Sequence, residues 1–280
     1  MRVLITGAAR AIGAATAGVL SARGHEVVAT ARDVELLTSV EAVQRLALDV
    51  RDTDSIGAAL DQAGELDAVV NNAALNGRGP LEDFPIDRLI DLFDTNCVGA
   101  LRLVQAVAPA WRERGSGVIV NISSVQGRVA TPLEGAYSAT KFALEALSES
   151  MHYELSHFGI RTVIVEPGYI APAMKSLPKH AGPPAYAGLW DQWTGVDATL
   201  TGLGGRPGPE LVGAAVADAI EDPSTPLRVS VGQDAQLILS TRQQLTDAEF
   251  EAAMRATLGL SWSPRQIAGT ASVRTRPDRQ

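Results

Sequence analysis

The chain has 280 residues, of which 46% are hydrophobic, 20% charged and 5% aromatic, a composition that fills a sizeable core and excludes a disordered or fibrous protein. Its 24 Lys and Arg against 32 Asp and Glu leave a formal charge of -8, the wrong sign for counterion-release binding to nucleic acid or to an anionic membrane. A single cysteine, Cys97, can form neither an internal disulfide nor a multi-cysteine metal site, and no apolar run reaches membrane-spanning length; the expectation is a soluble, cytoplasmic protein with neither nucleic acid nor membrane as partner.

In chain order, apolar and β-branched runs predict strands at Val3–Thr6, Val27–Ala31, Leu46–Val50, Leu66–Asn71, Val118–Ile122, Thr162–Glu166 and Leu227–Val231. Most of these runs are continuous rather than alternating, as strands covered on both faces require. Helical segments are expected between them at Ile12–Arg23, Thr53–Ala63, Asp87–Arg114, Tyr137–Phe158 and Pro209–Glu221. The predicted fold class is therefore α/β: a doubly wound, predominantly parallel seven-stranded sheet with helices on both faces, in one domain over residues 1–260.

Two stretches depart from that plan. Residues 169–209 are rich in Gly and Pro and carry Trp190 and Trp193, which suggests an irregular or short-helical insertion acting as a lid. Residues 261–280 hold four Arg and one Asp with little apolar periodicity, and read as a mobile or subunit-contacting tail.

The first strand runs into Thr6-Gly7-Ala8-Ala9-Arg10-Ala11-Ile12-Gly13, where a helix begins. Glycines in such a turn allow close backbone approach, and free N–H groups at a helix start can receive a pyrophosphate. Further along, Tyr137 and Lys141 stand four apart at a predicted helix start, so their side chains share one face. A phenol of ordinary pKa near 10 is a poor base at neutral pH, but a neighbouring ammonium favours the phenolate and makes proton exchange with an alcohol or ketone oxygen feasible. Ser124 ends a predicted strand thirteen residues earlier, at the sheet edge where open α/β folds bind ligands. Ser123 is its neighbour, and the spacing to Tyr137 favours Ser124.

These motifs, taken with Asn71-Asn72-Ala73-Ala74, Asn96, Asn121-Ile122-Ser123-Ser124, Tyr137-Ser138-Ala139-Thr140-Lys141 and Pro167-Gly168, resemble the short-chain dehydrogenase/reductase family, with a Rossmann-type fold, over about residues 1 to 240. The resemblance implies that Ser124 positions the substrate oxygen, Tyr137 exchanges the proton, Lys141 lowers the Tyr137 pKa and holds the nicotinamide ribose, and Asn96 supports a proton relay. It also implies a cofactor site comprising Gly7, Arg10, Ile12, Gly13, Arg32, Asp49, Val50, Asn72, Ala73, Tyr137, Lys141, Pro167, Gly168 and Ile170, with Asp49 near the adenine. Two positions depart from the family pattern: Ala11 replaces the middle glycine of the turn, and Pro172 replaces a threonine that bonds the carboxamide.

At the end of the second strand, Ala31-Arg32 stands where an NAD-selecting site carries an acid, and Arg10 lies in the turn, so NADP is the expected cofactor, with NAD as the alternative through Asp33. His25, His152, His157 and His180 show no metal-ligand spacing, and no metal is expected. The activity implied is an NADP(H)-dependent alcohol dehydrogenase or ketone reductase, a homo-oligomer acting on a moderately apolar alcohol or carbonyl compound whose pocket Met174, Leu177, Trp190 and Trp193 could wall. The alternative is a silent nucleotide-binding scaffold of the same fold.

Overall fold

The computed structural model describes residues 1–171, 174, 177–202 and 206–262. Seven strands form where continuous apolar runs demand double coverage: β1 (Arg2–Ile5), β2 (Glu26–Ala31), β3 (Gln44–Ala47), β4 (Ala68–Asn71), β5 (Gly117–Ile122), β6 (Ile160–Pro167) and β7 (Arg228–Val231). All pair in parallel in the order β3-β2-β1-β4-β5-β6-β7. The helices are α1 (Ala11–Ala22), α2 (Thr53–Ala63), α3 (Ile86–Phe93), α4 (Gly99–Arg114), α5 (Gly135–Ser156), α6 (Ala187–Gly202), α7 (Glu210–Glu221), α8 (Gln233–Gln244) and α9 (Asp247–Leu258).

Strand pleating divides the core in two. Val3 and Ile5 pack with Ala17 and Leu20 of α1 and with Val212, Val216 and Ile220 of α7. Leu4, between them in sequence, points the other way onto Ile56 of α2, Leu103 and Val107 of α4 and Met151 of α5. Each such side chain removed from water contributes about 1.5–3 kcal/mol, and β5 is buried at every position. The chain runs outward from β1 to β3 and then returns to place β4 on the other side of β1. That reversal opens a crevice at the carboxyl ends of β1 and β4, where the Gly7 turn and Asn72-Ala73 meet.

Three elements differ from expectation. The helix expected over 87–114 is interrupted between α3 and α4 by a π turn at Asp94–Val98, which turns Asn96 inward onto the loop after β4. The stretch 169–209, expected as an irregular or short-helical insertion, contains a helix of sixteen residues, α6, longer than a short one. Its Leu189, Trp190, Trp193 and Val196 recur every three or four residues and bury against Leu133 and Leu258, a tertiary contact that outweighs the local Gly and Pro content. Beyond β7 the chain forms α8 and α9, neither of which was expected; α9 starts with a complete capping box between Thr246 and Glu249. Pro172 and positions 263–280 of the expected tail lie outside the described residues. Among the described residues no helix is long and apolar enough to cross a membrane.

Candidate active site

The glycine turn is held by side chains from β1 and β4. Thr6 Oγ1 accepts the N–H groups of Asn72 and Ala73, each at 3.0 Å, and Asn72 Nδ2 donates to the carbonyls of Thr6 at 2.9 Å and Gly7 at 3.0 Å. Gly7 has φ +63°, and a Cβ there would lie 2.9 Å from Ala73 Cα; a Cβ on Gly13 would lie 2.5 Å from the Gly7 carbonyl oxygen. Both positions therefore exclude any larger residue. Ala11 takes φ 44°, the left-handed conformation that the glycine it replaces would adopt, at a cost of about 1–2 kcal/mol. The substitution is absorbed as local strain, with the turn retained. No side chain caps α1 and no acid stands in its first turn. This cradle, narrow, uncapped and electropositive, fits the pyrophosphate of a dinucleotide.

Beside it, α5 presents Tyr137 and Lys141 at the end of β5. Ser124 accepts the Gln126 N–H at 3.1 Å as it caps the short turn Val125–Gly127, and its hydroxyl hydrogen-bonds Tyr137. Ser123 points away, its buried hydroxyl lying beside Gly127 and Glu145, so Ser124 is the serine brought to the tyrosine. Lys141 Nζ donates to the Ile122 carbonyl at 2.7 Å and lies 5.7 Å from the Tyr137 ring centre. Burial pushes the Tyr137 phenol well above its ordinary value, Glu134 pushes it further, and only the Ser124 hydrogen bond opposes them. Burial likewise lowers Lys141 to about 8, against the pull of Glu145 and Cys97. Tyr137 and Lys141 are thus both pushed toward their neutral forms by burial, with the ammonium held one turn along the same face as the phenol.

Asn96, 2% exposed, accepts the Leu75 N–H at 2.7 Å and donates to the Leu75 carbonyl at 2.8 Å and to Thr140 Oγ1 at 3.0 Å. Thr140 in turn donates to the Tyr137 carbonyl at 2.7 Å, so Asn96 locks the loop after β4 to the turn of α5 that carries both Tyr137 and Lys141. Its side chain is committed to these bonds.

The remaining residues expected at a cofactor line the same edge. Arg10 and Arg32 are exposed, while Asp33 accepts the Glu35 N–H and caps a short 3-10 turn. Asp49 lies two residues beyond β3, and both its oxygens are taken by Arg51, whose guanidinium holds the carboxyl below its usual range. Val50 packs against Gly99, Ile12 against the core on the α1 face, and Ile170 is buried in that core. Pro167 ends β6, and Gly168 is required because a Cβ there would meet the Asp234 carboxylate at 2.2 Å. Asp234, in the first turn of α8, accepts the Tyr169 N–H at 2.6 Å and so fixes the turn after β6. The sequence reading missed it because α8 itself was not foreseen.

Of the proposed pocket walls, Trp193 lines a small void with Val125, Val129, Tyr169, Met254 and Leu258. Trp190 is packed under Lys179, Leu177 packs against Phe84, Leu92 and Ala136, and Met174 is exposed. A further buried carboxylate, Glu166, precedes Pro167. Desolvation, then the nearby Glu145 charge, raises it to about 7, despite Arg128 at 3.5 Å and the more distant Arg228. Among the described residues no group of three or more His, Cys, Asp or Glu is placed to hold a metal.

A family model described as short chain dehydrogenase matches residues 1–180. The structure of a short-chain dehydrogenase from Streptomyces avermitilis superimposes with a TM-score of 0.76 at 34% identity, covering 92% of this chain and 97% of that one. A short chain dehydrogenase from Burkholderia cenocepacia in complex with NADP gives 0.72 at 26% identity, covering 94% and 98%. Human retinol dehydrogenase 8 is 39% identical over 179 residues, 59% of this chain and 58% of its own length.

Glu166 carries a proton in the folded state at a pH where the unfolded chain has released it, so its contribution to stability is full below its unfolded value near 4.5 and lost as pH rises through about 7. Glu166→Gln is expected to raise the melting temperature more at pH 8 than at pH 5. Equal gains at the two pH values would show that the buried charge is not the cause.

Proposed function

The chain belongs to the short-chain dehydrogenase/reductase family of oxidoreductases, and from that premise we propose that it interconverts a secondary alcohol and a ketone, or an aldehyde, on a moderately apolar small molecule, with NADP(H) preferred over NAD(H). The observation that carries this reading is the convergence at the carboxyl edge of β5 of Ser124, the buried Tyr137 and, one turn further along the same face of α5, Lys141. When bound, the nicotinamide supplies or accepts the hydride. In the reducing direction Tyr137 donates its phenolic proton to the carbonyl oxygen as negative charge develops there, and Ser124 donates a hydrogen bond to the same oxygen. Desolvation keeps that proton in place at neutral pH. Holding the ribose falls to Lys141, whose ammonium sits at the base of the crevice.

The similarity to an enzyme named for retinol supports an apolar substrate. The NADP preference is supported by two exposed arginines at the ends of β1 and β2, by the NADP bound to a solved relative, and by the use of Asp33 as a cap, which weakens the NAD alternative. Ala11 attains a left-handed conformation that glycine adopts freely, so its departure from the family pattern does not by itself favour the silent scaffold. The lid reading draws support from two backbone bonds, Leu177 N–H to the Asn76 carbonyl at 2.8 Å and His180 N–H to the Arg78 carbonyl at 2.9 Å, which tie residues 177–180 to the loop after β4.

Tyr137→Phe removes one proton-bearing oxygen and is expected to cut turnover by roughly 10² to 10⁴-fold while leaving cofactor affinity nearly unchanged; a variant retaining half of the activity would overturn the assignment. Arg32→Ala is expected to weaken NADPH binding about tenfold or more, as loss of a charged hydrogen bond worth roughly 1.5–3 kcal/mol requires, and to spare NADH; titration showing equal losses refutes the preference. Hydrogen exchange over residues 177–202 is expected to slow when NADPH and a substrate analogue are added together, and unchanged exchange would remove the lid.

A further inference from the structure

Away from the catalytic crevice the protein carries an apolar groove of about 440 Å³, between residues 128–132 of the chain that joins β5 to α5 and the helix α9. That volume falls within the roughly 300–1,000 Å³ of ordinary small-molecule sites. Leu189, Phe250 and Leu258 are buried along it, while Phe142 and Trp262 are left 44% and 37% exposed. Two large aromatic side chains in water beside a concave apolar surface are where a ligand gains most by burial. Neither Ser124, Tyr137 nor Lys141 borders the groove; through Val129, Met254 and Leu258 it adjoins the small void that Trp193 lines.

Five charged side chains border it. Arg242 pairs with Asp247 at 2.5 Å and Arg255 with Glu251 at 2.9 Å, so these four cancel. Arg128 is held differently. Among the described residues its side chain makes one bond, to Glu166 Oε1 at 3.5 Å, and Glu166 is a core residue that does not reach the groove. A guanidinium presents five N–H donors in a planar fork, and a single long contact leaves most of that fork, about one-third exposed, to a ligand. The balance of charge at the groove wall is therefore one positive, on a chain whose net charge is -8.

We propose that this groove binds an aliphatic monocarboxylate, a medium-chain fatty acid, whose chain lies against Phe250, Leu258 and Trp262 and whose head group pairs with the Arg128 guanidinium. A carboxylate matches both the single positive charge and the planar fork, which it can meet with two parallel hydrogen bonds. A phosphate dianion would bring a second negative charge toward Asp247 and Glu251, and an uncharged alcohol would leave the guanidinium unanswered. The site stands apart from the reacting groups, so its existence does not rest on the proposed reaction.

The test is calorimetric titration of the full-length protein with decanoate below its micelle concentration, with tryptophan emission followed in parallel. The expected result is saturable one-to-one binding, an emission change that disappears in Trp262→Phe, and affinity that rises about fourfold per methylene from octanoate to dodecanoate. Arg128→Met is expected to weaken decanoate about tenfold or more and to leave the weaker binding of 1-decanol unchanged. Because Arg128 also touches the core through Glu166, a second variant separates binding from folding: Ala130→Glu places a like charge in the groove at an exposed position. It is expected to abolish decanoate binding and to keep the wild-type melting temperature. Absence of saturable binding overturns the proposal, whether the groove is then covered by a second copy of the chain or by the residues after Trp262, which sedimentation distinguishes. An emission change that survives Trp262→Phe, equal losses of acid and alcohol in Arg128→Met, or full decanoate affinity in Ala130→Glu overturns it as well.

Discussion

A line of buried amides and hydroxyls holds the catalytic helix to the sheet, and the site depends on it. Asn71 Nδ2 on β4 donates to Asn121 Oδ1 on β5 at 2.8 Å, Asn121 Nδ2 donates to Ser148 Oγ on α5 at 2.7 Å, and Ser148 Oγ donates to the Leu144 carbonyl at 2.6 Å. A buried polar group left without a partner costs about 1–3 kcal/mol, so α5 cannot slide or rotate without losing several of these bonds together. Ser148 lies seven residues after Lys141, two helical turns along the same face. Fixing Ser148 against the sheet therefore fixes Lys141 at the Ile122 carbonyl and Tyr137 at Ser124. Asn96 makes the same kind of attachment from the other side, through Thr140, and the π turn is the local distortion that lets it reach.

The cofactor cradle is built on a second attachment across the sheet's point of reversal. Because β4 returns beside β1, Thr6 and Asn72 face each other, and their hydrogen bonds shape the glycine turn before any ligand arrives. Pre-shaping lowers the ordering cost of binding. It also explains how Ala11 is tolerated: a turn held from both sides can impose a left-handed conformation on alanine for about 1–2 kcal/mol. Asp234 plays the corresponding part at the opposite end of the crevice, where it holds the Tyr169 amide over Gly168.

One physical cause runs through the electrostatics of the site. Withdrawal from water moves Tyr137 and Glu166 up and Lys141 down, each toward its neutral form. These groups sit in a low-dielectric enclosure where burial is the largest cause of each departure and the nearest fixed charges, Glu134 and Glu145 among them, come second.

How much of this was legible in the sequence follows from the range of the forces involved. Short continuous apolar runs separated by helical segments suit strands covered on both faces, so Val3–Thr6 and Val118–Ile122 pointed to the sheet and its parallel sense. Tyr137 and Lys141 were readable because a four-residue spacing on a helix is itself geometry, and Gly7 and Gly13 because close backbone approach excludes side chains. The boxed start of α9, Thr246 to Glu249, is a local signal too, yet α9 was not among the expected helices. Other features depend on residues that no local pattern joins. The α6 helix exists because Trp190 and Trp193 find Leu258, and the inward turn of Asn96 exists because Leu75 needs its partner. The engagement of Lys141 by Ile122 and the burial of Glu134 belong to this second class. A carboxylate at a helix start reads in sequence as an ordinary dipole match, and only the packing of Arg78, Gln126 and Thr131 around it removes it from water.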